Sequence, residues 1–336
     1  MKKIAIVAGM MLPQLMVSQS MDRNIYDFLN IPATPYQNAL GGNNVTHTGS
    51  NPNQVLYNPA SLSDDMSGVL QLSYGNLYGA VNMGAASYAH NFERDRNIQV
   101  GVIYLNYGSM DGYNEQGQKT QSFSASDIAL TTGFSYRIQD SNFYVGANLK
   151  GISSTIEQYN SWAVAADIGG LYFNPDTGWN VGLTFRNIGF QLKSFENETE
   201  NMPFIVIAGI SKQLENVPIR WHLTLDNLQK YKIGFPNPNR SSVGLDGVVT
   251  EETIQWHDHL LRHIIIGAEL FTNKKFNARV SYNFRRGEEM KILEQRSFAG
   301  LSFGFSLKLK KMTFDYSHGR VTRAGNSNFV GLTMKL

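Results

Sequence analysis

Strict alternation of apolar and polar residues is the main pattern along this chain. In the clearest run, Leu301, Phe303 and Phe305 are separated by Ser302 and Gly304. Successive side chains of a β-strand point to opposite faces, so a period of two predicts strands with one apolar and one polar face. Each such run has about the ten residues that a tilted strand needs to cross a lipid bilayer.

About fourteen runs of this kind follow one another from Gly68 to the end of the chain, an even count typical of outer-membrane barrels. The second, third, eighth and tenth alternate less cleanly than the others. The predicted strands begin near Val69, Ala80, Ile98, Ser126, Phe143, Trp162, Trp179, Phe204, Ile219, Leu260, Phe276, Leu301, Met312 and Asn328.

The connections between these runs alternate in length. Short connections follow the even-numbered runs, at 93–97, 139–142, 174–178, 215–217, 273–274 and 310–311. Long ones follow odd-numbered runs, at 108–124, 189–202, 228–257 and 286–298. Outer-membrane barrels have short periplasmic turns and long extracellular loops, whereas a soluble β-sandwich, the alternative, has no reason to alternate. We therefore predict an all-β fold, a transmembrane antiparallel barrel over residues 68–336, with loops at the cell surface and periplasmic termini.

Two segments precede the predicted barrel. Residues 1–20 combine a basic start, an apolar run and small residues, which predicts a signal peptide too short to span a membrane. Residues 21–67 do not alternate and contain four prolines and the Gly41–Gly42 pair. A barrel of about fourteen strands is too wide for its own side chains to fill, so we expect this segment to enter it as a hatch.

Composition narrows the function classes. The net charge of +2 gives no reason to expect nucleic-acid binding, and the absence of cysteine excludes disulfides, thiolate zinc sites and a lipoprotein anchor. Aromatic residues make up 12% of the chain and cluster beside the short turns, where a periplasmic aromatic girdle is expected. These rings are Phe92, Phe143, Tyr144, Tyr172, Phe173, Trp179, Phe271 and Phe276.

Two patterns resemble sites of chemistry. Gly300–Gly304 matches the G-x-S-x-G motif of hydrolases, which needs a strand–turn–helix context, but here the motif lies inside a strand. Pairing across the 310–311 turn places Ser302 towards the lumen and His318, opposite Phe303, towards lipid. An outer-membrane hydrolase is therefore not expected.

The second pattern, Trp256-His257-Asp258-His259, lies at the end of the longest loop, where a strand is predicted to begin. Alternation would turn the two histidines to one side and Asp258 to the other, so a polar loop base is favoured over a metal site. No catalytic residue, metal or cofactor is predicted.

Charged residues of both signs fall at inward positions of different strands. We expect them to form ion pairs that brace a wet or plugged lumen, with a polar channel as the alternative. Either arrangement leaves a lumen poor in apolar surface. The residues are Arg137, Lys150, Asp167, Arg186, Arg220, Asp226, Glu269, Arg279, Arg285 and Lys308.

The predicted hatch carries a sequence resemblance. Segments 28–32, 38–42 and 57–62, the last containing Asn58-Pro59-Ala60, resemble the hatch of barrels related to the FadL fatty-acid transporters. Within that superfamily the chain most resembles the PorQ group of the type IX secretion system of Bacteroidetes, with further similarity at 263–270, 278–283, 300–304 and 314–316.

The resemblance implies a subunit of the attachment complex that fixes secreted cargo to lipopolysaccharide. It implies three protein partners: a PorZ-like surface protein that the barrel anchors, a PorU-like sortase and a PorV-like barrel. Outer-membrane lipid or lipopolysaccharide is the further partner, and no catalytic residue carries over. The alternative is a FadL-like transporter of hydrophobic compounds, which an apolar pocket under the hatch or a sideways opening of the wall would favour.

An anchor must bind its partner through loops. The longest loop contains Pro236, Pro238 and Trp256, and the 189–202 loop is acidic, with Glu196 and Glu198. An aromatic residue beside an uneven charge pattern suits protein recognition, so these residues are the candidate partner-binding positions.

Overall fold

The computed structural model describes residues 24–93, 96–114, 116–139, 141–196, 198–234, 242–243, 249–250, 254–272, 274–290, 298–322 and 324–336. The predicted signal peptide therefore lies outside the described residues, as do Pro236 and Pro238.

The described part of the chain is mainly strand. In chain order the strands are β1 Val69–Tyr78, β2 Val81–Glu93, β3 Arg96–Met110, β4 Phe123–Arg137, β5 Phe143–Ile156, β6 Tyr159–Asn174, β7 Trp179–Lys193, β8 Ile205–Gln213, β9 Ile219–Leu225, β10 Ser242–Val243, β11 Val249–Thr250, β12 Ile264–Leu270, β13 Phe276–Asn283, β14 Leu301–Lys308, β15 Met312–Thr322 and β16 Gly325–Lys335. Strands β10 and β11 pair only with each other. The other fourteen form one closed antiparallel barrel, in which each strand pairs with the next and β1 pairs with β16.

The alternating pattern predicted this wall well. Every predicted start except Leu260 lies within three residues of an observed strand start. The exception is a correction, because helix α2 covers Trp256–Arg262 and β12 begins only at Ile264. Short apolar runs do not distinguish strand from helix, and here Asp258 stabilises the first helical turn by accepting a hydrogen bond from the Gln255 N–H at 3.3 Å.

The outer face of the barrel is apolar, as a lipid-facing surface requires. Along β4, for example, Ile128, Leu130 and Phe134 are exposed, whereas the intervening Thr131 and Ser135 are buried against the barrel contents. Among the described residues, no helix is both long and apolar enough to cross a bilayer.

The two ends of the barrel differ. At one end, here called the turn end, short connections join β2–β3, β4–β5, β6–β7, β8–β9, β12–β13 and β14–β15. At the other, the loop end, lie the long connections 111–122, 194–204, 226–263 and 284–300, which include α2 and helix α3 Phe284–Glu289. Phe92, Phe143, Phe271 and Phe276 are exposed on the outer face near the turn end. Tyr144 and Phe173, predicted to join them, instead point inward and line a cavity, because each lies one residue out of phase with its outward neighbour.

Residues 24–67, here called the hatch, lie inside the barrel. They contain helix α1 Pro35–Ala39 and 3-10 helices at Asp27–Asn30, Pro52–Leu56, Pro59–Ser61 and Asp64–Met66. The Ile25 N–H donates to the Asn201 carbonyl in a connection of the loop end, and the Gly68 N–H donates to the Ala89 carbonyl, both at 3.0 Å. The hatch thus runs the length of the lumen, from the loop end to the start of β1 at the turn end.

Candidate functional site: the interface between hatch and wall

The Asn-Pro-Ala motif of the hatch is held in place by hydrogen bonds. The Asn58 carboxamide oxygen accepts from the Ala60 N–H at 3.0 Å and so caps the 3-10 helix that Pro59 begins. The Asn58 Nδ2 group donates to the Val45 carbonyl at 2.7 Å. All of these residues are buried. The motif therefore joins two hatch segments that are 13 residues apart in the sequence.

Glycines on the inner wall allow the hatch backbone to lie directly against the strands. A Cβ atom at Gly146 of β5 would lie 2.5 Å from the Pro59 carbonyl carbon, and one at Gly169 of β6 would overlap the Asn58 side chain. Comparable close approaches to hatch atoms occur around most of the barrel. The wall glycines that approach the hatch are Gly101, Gly133, Gly146, Gly169, Gly182, Gly209, Gly267, Gly304, Gly319 and Gly331. The sequence analysis did not identify this ring of glycines, although glycine at inward positions of successive strands was the available signal.

Helix α1 is fixed by buried amides. Thr34 caps its first turn by accepting from the Gln37 N–H, and the Gln37 side chain donates to Gln54 Oε1 at 2.7 Å. On the wall side, Asn38 Nδ2 donates to Ser317 Oγ of β15 at 3.0 Å. The Gln37 amide has partners for both its nitrogen and its oxygen, and together with the contact of Asn38 to β15 it specifies one orientation of the helix against the wall.

One cluster of charged residues joins β5, β6 and β7 to the hatch. Lys150 and Asp167 form an ion pair of 2.8 Å, and both side chains are buried. Lys150 also donates to Asn187 Oδ1 at 2.8 Å, and Asn187 Nδ2 donates to Asn30 Oδ1 of the hatch at 3.1 Å. The neighbouring Arg186 donates to the Leu29 carbonyl of the hatch at 2.7 Å. The predicted ion-pair bracing is confirmed here, and Arg186 extends it to the hatch.

A second cluster joins β9, β12, β13 and β15. Glu269 accepts from Arg279 at 3.3 Å and from His222 at 2.9 Å, and Arg279 lies 3.4 Å from Asp315. Tyr36 of the hatch donates to Glu269 at 3.1 Å, and its ring lies 4.6 Å from the Arg279 guanidinium carbon. The hatch therefore contacts charged wall residues on both sides of the lumen.

His47 of the hatch lies beside this second cluster. Both of its ring nitrogens are buried, and neither has a hydrogen-bond partner among the described residues. Burial, helped by the guanidinium groups of Arg220 and Arg279, lowers the pKa of His47 to about 3, against the opposing effect of Glu269. The imidazole is therefore neutral at physiological pH.

The lumen near the loop end is apolar, which corrects the expectation that the lumen is poor in apolar surface. Hatch residues Phe28 and Leu29 pack in one buried cluster with wall side chains. The wall members are Leu77, Val81, Met83, Ala85, Ile103, Leu105, Ala129, Ile152, Ala163, Ala165 and Phe329. The sequence analysis followed charged inward residues and missed these positions, which lie at the loop-end halves of their strands.

Two cavities open at the turn end, on either side of the hatch segment at Thr48 and Gly49. One, of about 180 Å³, is lined by Asp64, Arg137 and the inward rings of Tyr144 and Phe173. The other, of about 220 Å³, is lined by His47 and by charged residues of β9, β12, β13, β14 and β15.

The candidate partner-binding residues that the structure describes, Trp256, Glu196 and Glu198, lie at the loop end. Trp256 begins helix α2 and is 66% exposed, while Glu196 and Glu198 are also exposed. Tyr231 lies beside Trp256, with its hydroxyl 3.4 Å from the Trp256 carbonyl oxygen. Because α2 is helical, the prediction that His257 and His259 lie on one face of a strand is wrong. No group of described residues could hold a metal ion.

The serine motif has no catalytic geometry. Ser302 is buried towards the lumen, whereas His318 is paired with Phe303, and its Nδ1 lies 2.9 Å from Asn328 Oδ1 on the outer face. The predicted separation of Ser302 and His318 is confirmed.

Comparisons with solved structures agree with this architecture. The chain is similar to the toluene transporter TbuX of Ralstonia pickettii, with a TM-score of 0.57 and 12% identity over 92% of this chain and 100% of that one. It is similar to a FadL homologue of Pseudomonas aeruginosa, with a TM-score of 0.54 and 9% identity over 91% and 99%. A mutant of the monoaromatic hydrocarbon channel TodX gives a TM-score of 0.57 at 12% identity over 93% and 100%. No family model and no curated protein matches the sequence.

These similarities establish the fold. The chain is a fourteen-stranded β-barrel with the fold of FadL-type outer-membrane barrels, which it shares with these three solved structures.

Proposed function

We propose that this barrel is an outer-membrane scaffold that holds a partner protein at the cell surface through its loop end. By its sequence resemblance to the PorQ group, the proposed partner is a PorZ-like surface protein, within a type IX attachment complex that also contains PorU-like and PorV-like subunits. The observation that carries this proposal is the sealed lumen.

The seal is formed by the hatch. Every side chain from Pro52 to Leu62 is buried, as are those from Ala33 to His47. A water-filled path beside these segments would expose at least one flank of them. Moving the hatch would also break the buried hydrogen bonds of Asn38 and Asn58 and the bond from Arg186 to the Leu29 carbonyl. Each buried polar group left unpaired costs about 1–3 kcal/mol. A static seal suits a scaffold better than a conduit.

The loop end offers a surface for a partner. Trp256 and Tyr231 are both exposed, with the Tyr231 hydroxyl 3.4 Å from the Trp256 carbonyl oxygen, and Leu260, one helical turn after Trp256, is exposed as well. Exposed aromatic residues are typical of protein-binding surfaces.

Deletion of the loop over 228–257 tests this role. The barrel is expected to assemble normally, because the deleted segment contributes no wall strand, while a surface protein is released into the medium. Trp256→Ala should cause part of this release, and Trp162→Ala, which removes an exposed ring from the wall, is the matched control. Proteins on intact cells and in the medium are measured by mass spectrometry. An unchanged surface proteome after the loop deletion refutes anchoring through this loop.

A second candidate is transport of a hydrophobic compound, as in FadL-type proteins. The apolar cluster around Phe28 and Leu29 favours it, since a small apolar molecule that displaced these side chains would enter an apolar environment. The similarity to transporters of toluene and monoaromatic hydrocarbons supports this candidate more directly than it supports a secretion subunit.

Uptake of radiolabelled toluene by cells with and without the barrel separates the two candidates. The scaffold predicts equal uptake. Faster uptake with the barrel, abolished by a charge in the apolar cluster such as Leu105→Asp, would establish transport instead.

A further inference from the structure

The larger turn-end cavity, of about 220 Å³, has an excess of positive charge. Arg220 and Arg279 line its inner part, and Lys274, Lys275 and Lys308 line it at the turn end. Two carboxylates, Glu269 and Asp315, complete the charged lining. Five basic groups and two acidic ones leave three uncompensated positive charges, with the neutral His47 not counted.

The acidic groups of this cavity are already engaged. Glu269 is held by Arg279 and His222, and Asp315 by Arg279. By contrast, none of the three lysines has an acidic partner among the described residues. The unpaired charge is therefore concentrated where the cavity meets solvent.

The basic surface continues along the rim beyond the cavity. Lys310, Lys311 and Lys335 are exposed beside it, and the Lys335 N–H donates to the Lys311 carbonyl at 3.2 Å. The turns at 271–275 and 308–312 contain no acidic residue. The opposite sector of the turn end instead exposes Asp65 and Asp176. Six lysines thus form one continuous sector, here called the lysine rim: Lys274, Lys275, Lys308, Lys310, Lys311 and Lys335.

The cavity also contains an unsatisfied hydrogen-bonding group. His47 lines it with both ring nitrogens unpartnered among the described residues, and the neutral imidazole provides one donor and one acceptor. These two ring nitrogens are available to a water molecule or to a polar ligand in the cavity.

We propose that the cavity and the lysine rim bind an acidic polypeptide segment of a periplasmic partner, with a carboxylate side chain entering between Lys275 and Lys308. The wall residues of the cavity are inward-facing, whereas lipid headgroups surround the outer face of a barrel, so a lipid does not reach it. A row of exposed lysines continuing from the cavity suits a chain with several carboxylates better than a single small anion. This site is at the opposite end of the barrel from the proposed surface partner and is independent of it.

Fluorescence anisotropy with a labelled hexaglutamate peptide tests the proposal on the full-length barrel in non-ionic detergent. Lys275→Gln/Lys308→Gln should raise the Kd about three- to tenfold, as expected for the loss of two partly solvated ion pairs. The matched control, Lys193→Gln/Lys232→Gln, removes two exposed lysines near the loop end and should leave the Kd unchanged. Binding should weaken as salt is raised.

Three outcomes would overturn the proposal: equal Kd values for the two double variants, equal binding of a hexaglutamine peptide, or complete displacement by inorganic phosphate at matched ionic strength. The last would indicate a site for a small free anion. Because both lysine side chains are exposed, each double variant should fold, and its thermal unfolding in the same detergent verifies this.

Discussion

Two adjacent glycines of β6 provide a sharp test of the contact between hatch and wall. A Cβ atom at Gly169 would overlap the Asn58 side chain and lie 2.9 Å from Pro59 Cδ, whereas a Cβ atom at Gly170 would meet nothing within 4 Å. Gly169→Ala should therefore displace the hatch motif, and Gly170→Ala should not. The two variants make the same substitution at adjacent positions of one strand, and the two positions lie on opposite faces of the sheet.

The expected magnitudes follow from the contacts. Overpacking costs about 1–3 kcal/mol, and displacement of Asn58 loses a helix cap worth about 1 kcal/mol and a buried hydrogen bond worth about 1 kcal/mol. Alanine in a strand gains back about 0.5–1 kcal/mol relative to glycine. We expect Gly169→Ala to lower the free energy of unfolding by about 2–4 kcal/mol, and Gly170→Ala to leave it unchanged or raise it slightly.

Two assays report the effect. Urea unfolding of the barrel in lipid vesicles, followed by tryptophan fluorescence, gives the free energy of unfolding. The chain has no cysteine, so the buried Ser61→Cys provides a unique thiol in the hatch, whose reaction with maleimide measures opening. Gly169→Ala should accelerate this reaction and Gly170→Ala should not. Equal stabilities and equal labelling rates for the two variants would refute the proposed packing of the hatch on β6.

Three further predictions concern buried polar groups of the lumen. Lys150→Met should destabilise the barrel by about 3–5 kcal/mol in urea unfolding, because it leaves Asp167 charged and unpaired; Lys150→Met/Asp167→Asn should recover most of this loss, and no recovery would contradict the ion-pair explanation. As the pH falls from 6.5 towards 3, His47 binds a proton in the unfolded state but stays neutral in the folded state. The free energy of unfolding should therefore fall by about 1.4 kcal/mol per pH unit. His47→Asn should abolish this part of the slope, and an unchanged slope would assign it elsewhere. Asn58→Ala should destabilise by about 2–3 kcal/mol and Asn58→Ser, which can still cap, by about 1 kcal/mol less; equal losses would show that the cap is unimportant.

The wall could be predicted from the sequence because one physical rule sets it. In a barrel wall, each residue such as Phe303 or Ser302 faces either lipid or the lumen, and alternation reports which of the two sides it faces. The lengths of the connections then indicate at which end of the barrel each connection lies. The error at Leu260 arose where this rule does not apply, in a loop outside the membrane.

The arrangement of the lumen was less predictable. The fit of the hatch depends on pairs such as Gly169 with Asn58, which are far apart in the sequence and have no local signal. The apolar cluster around Phe28 was missed for a related reason. Inward-facing positions are more apolar near the loop end than elsewhere along the strands. Alternation gives the face on which a residue lies but not its depth in the barrel.

Conductance in a planar lipid bilayer tests the central claim, that the hatch seals the lumen, most directly. The intact protein should insert without discrete conductance steps, and deletion of residues 24–66 should give large, stable steps from an open barrel. Conductance steps of similar size for the intact and the deleted protein would contradict a sealed lumen and, with it, the scaffold function that we propose.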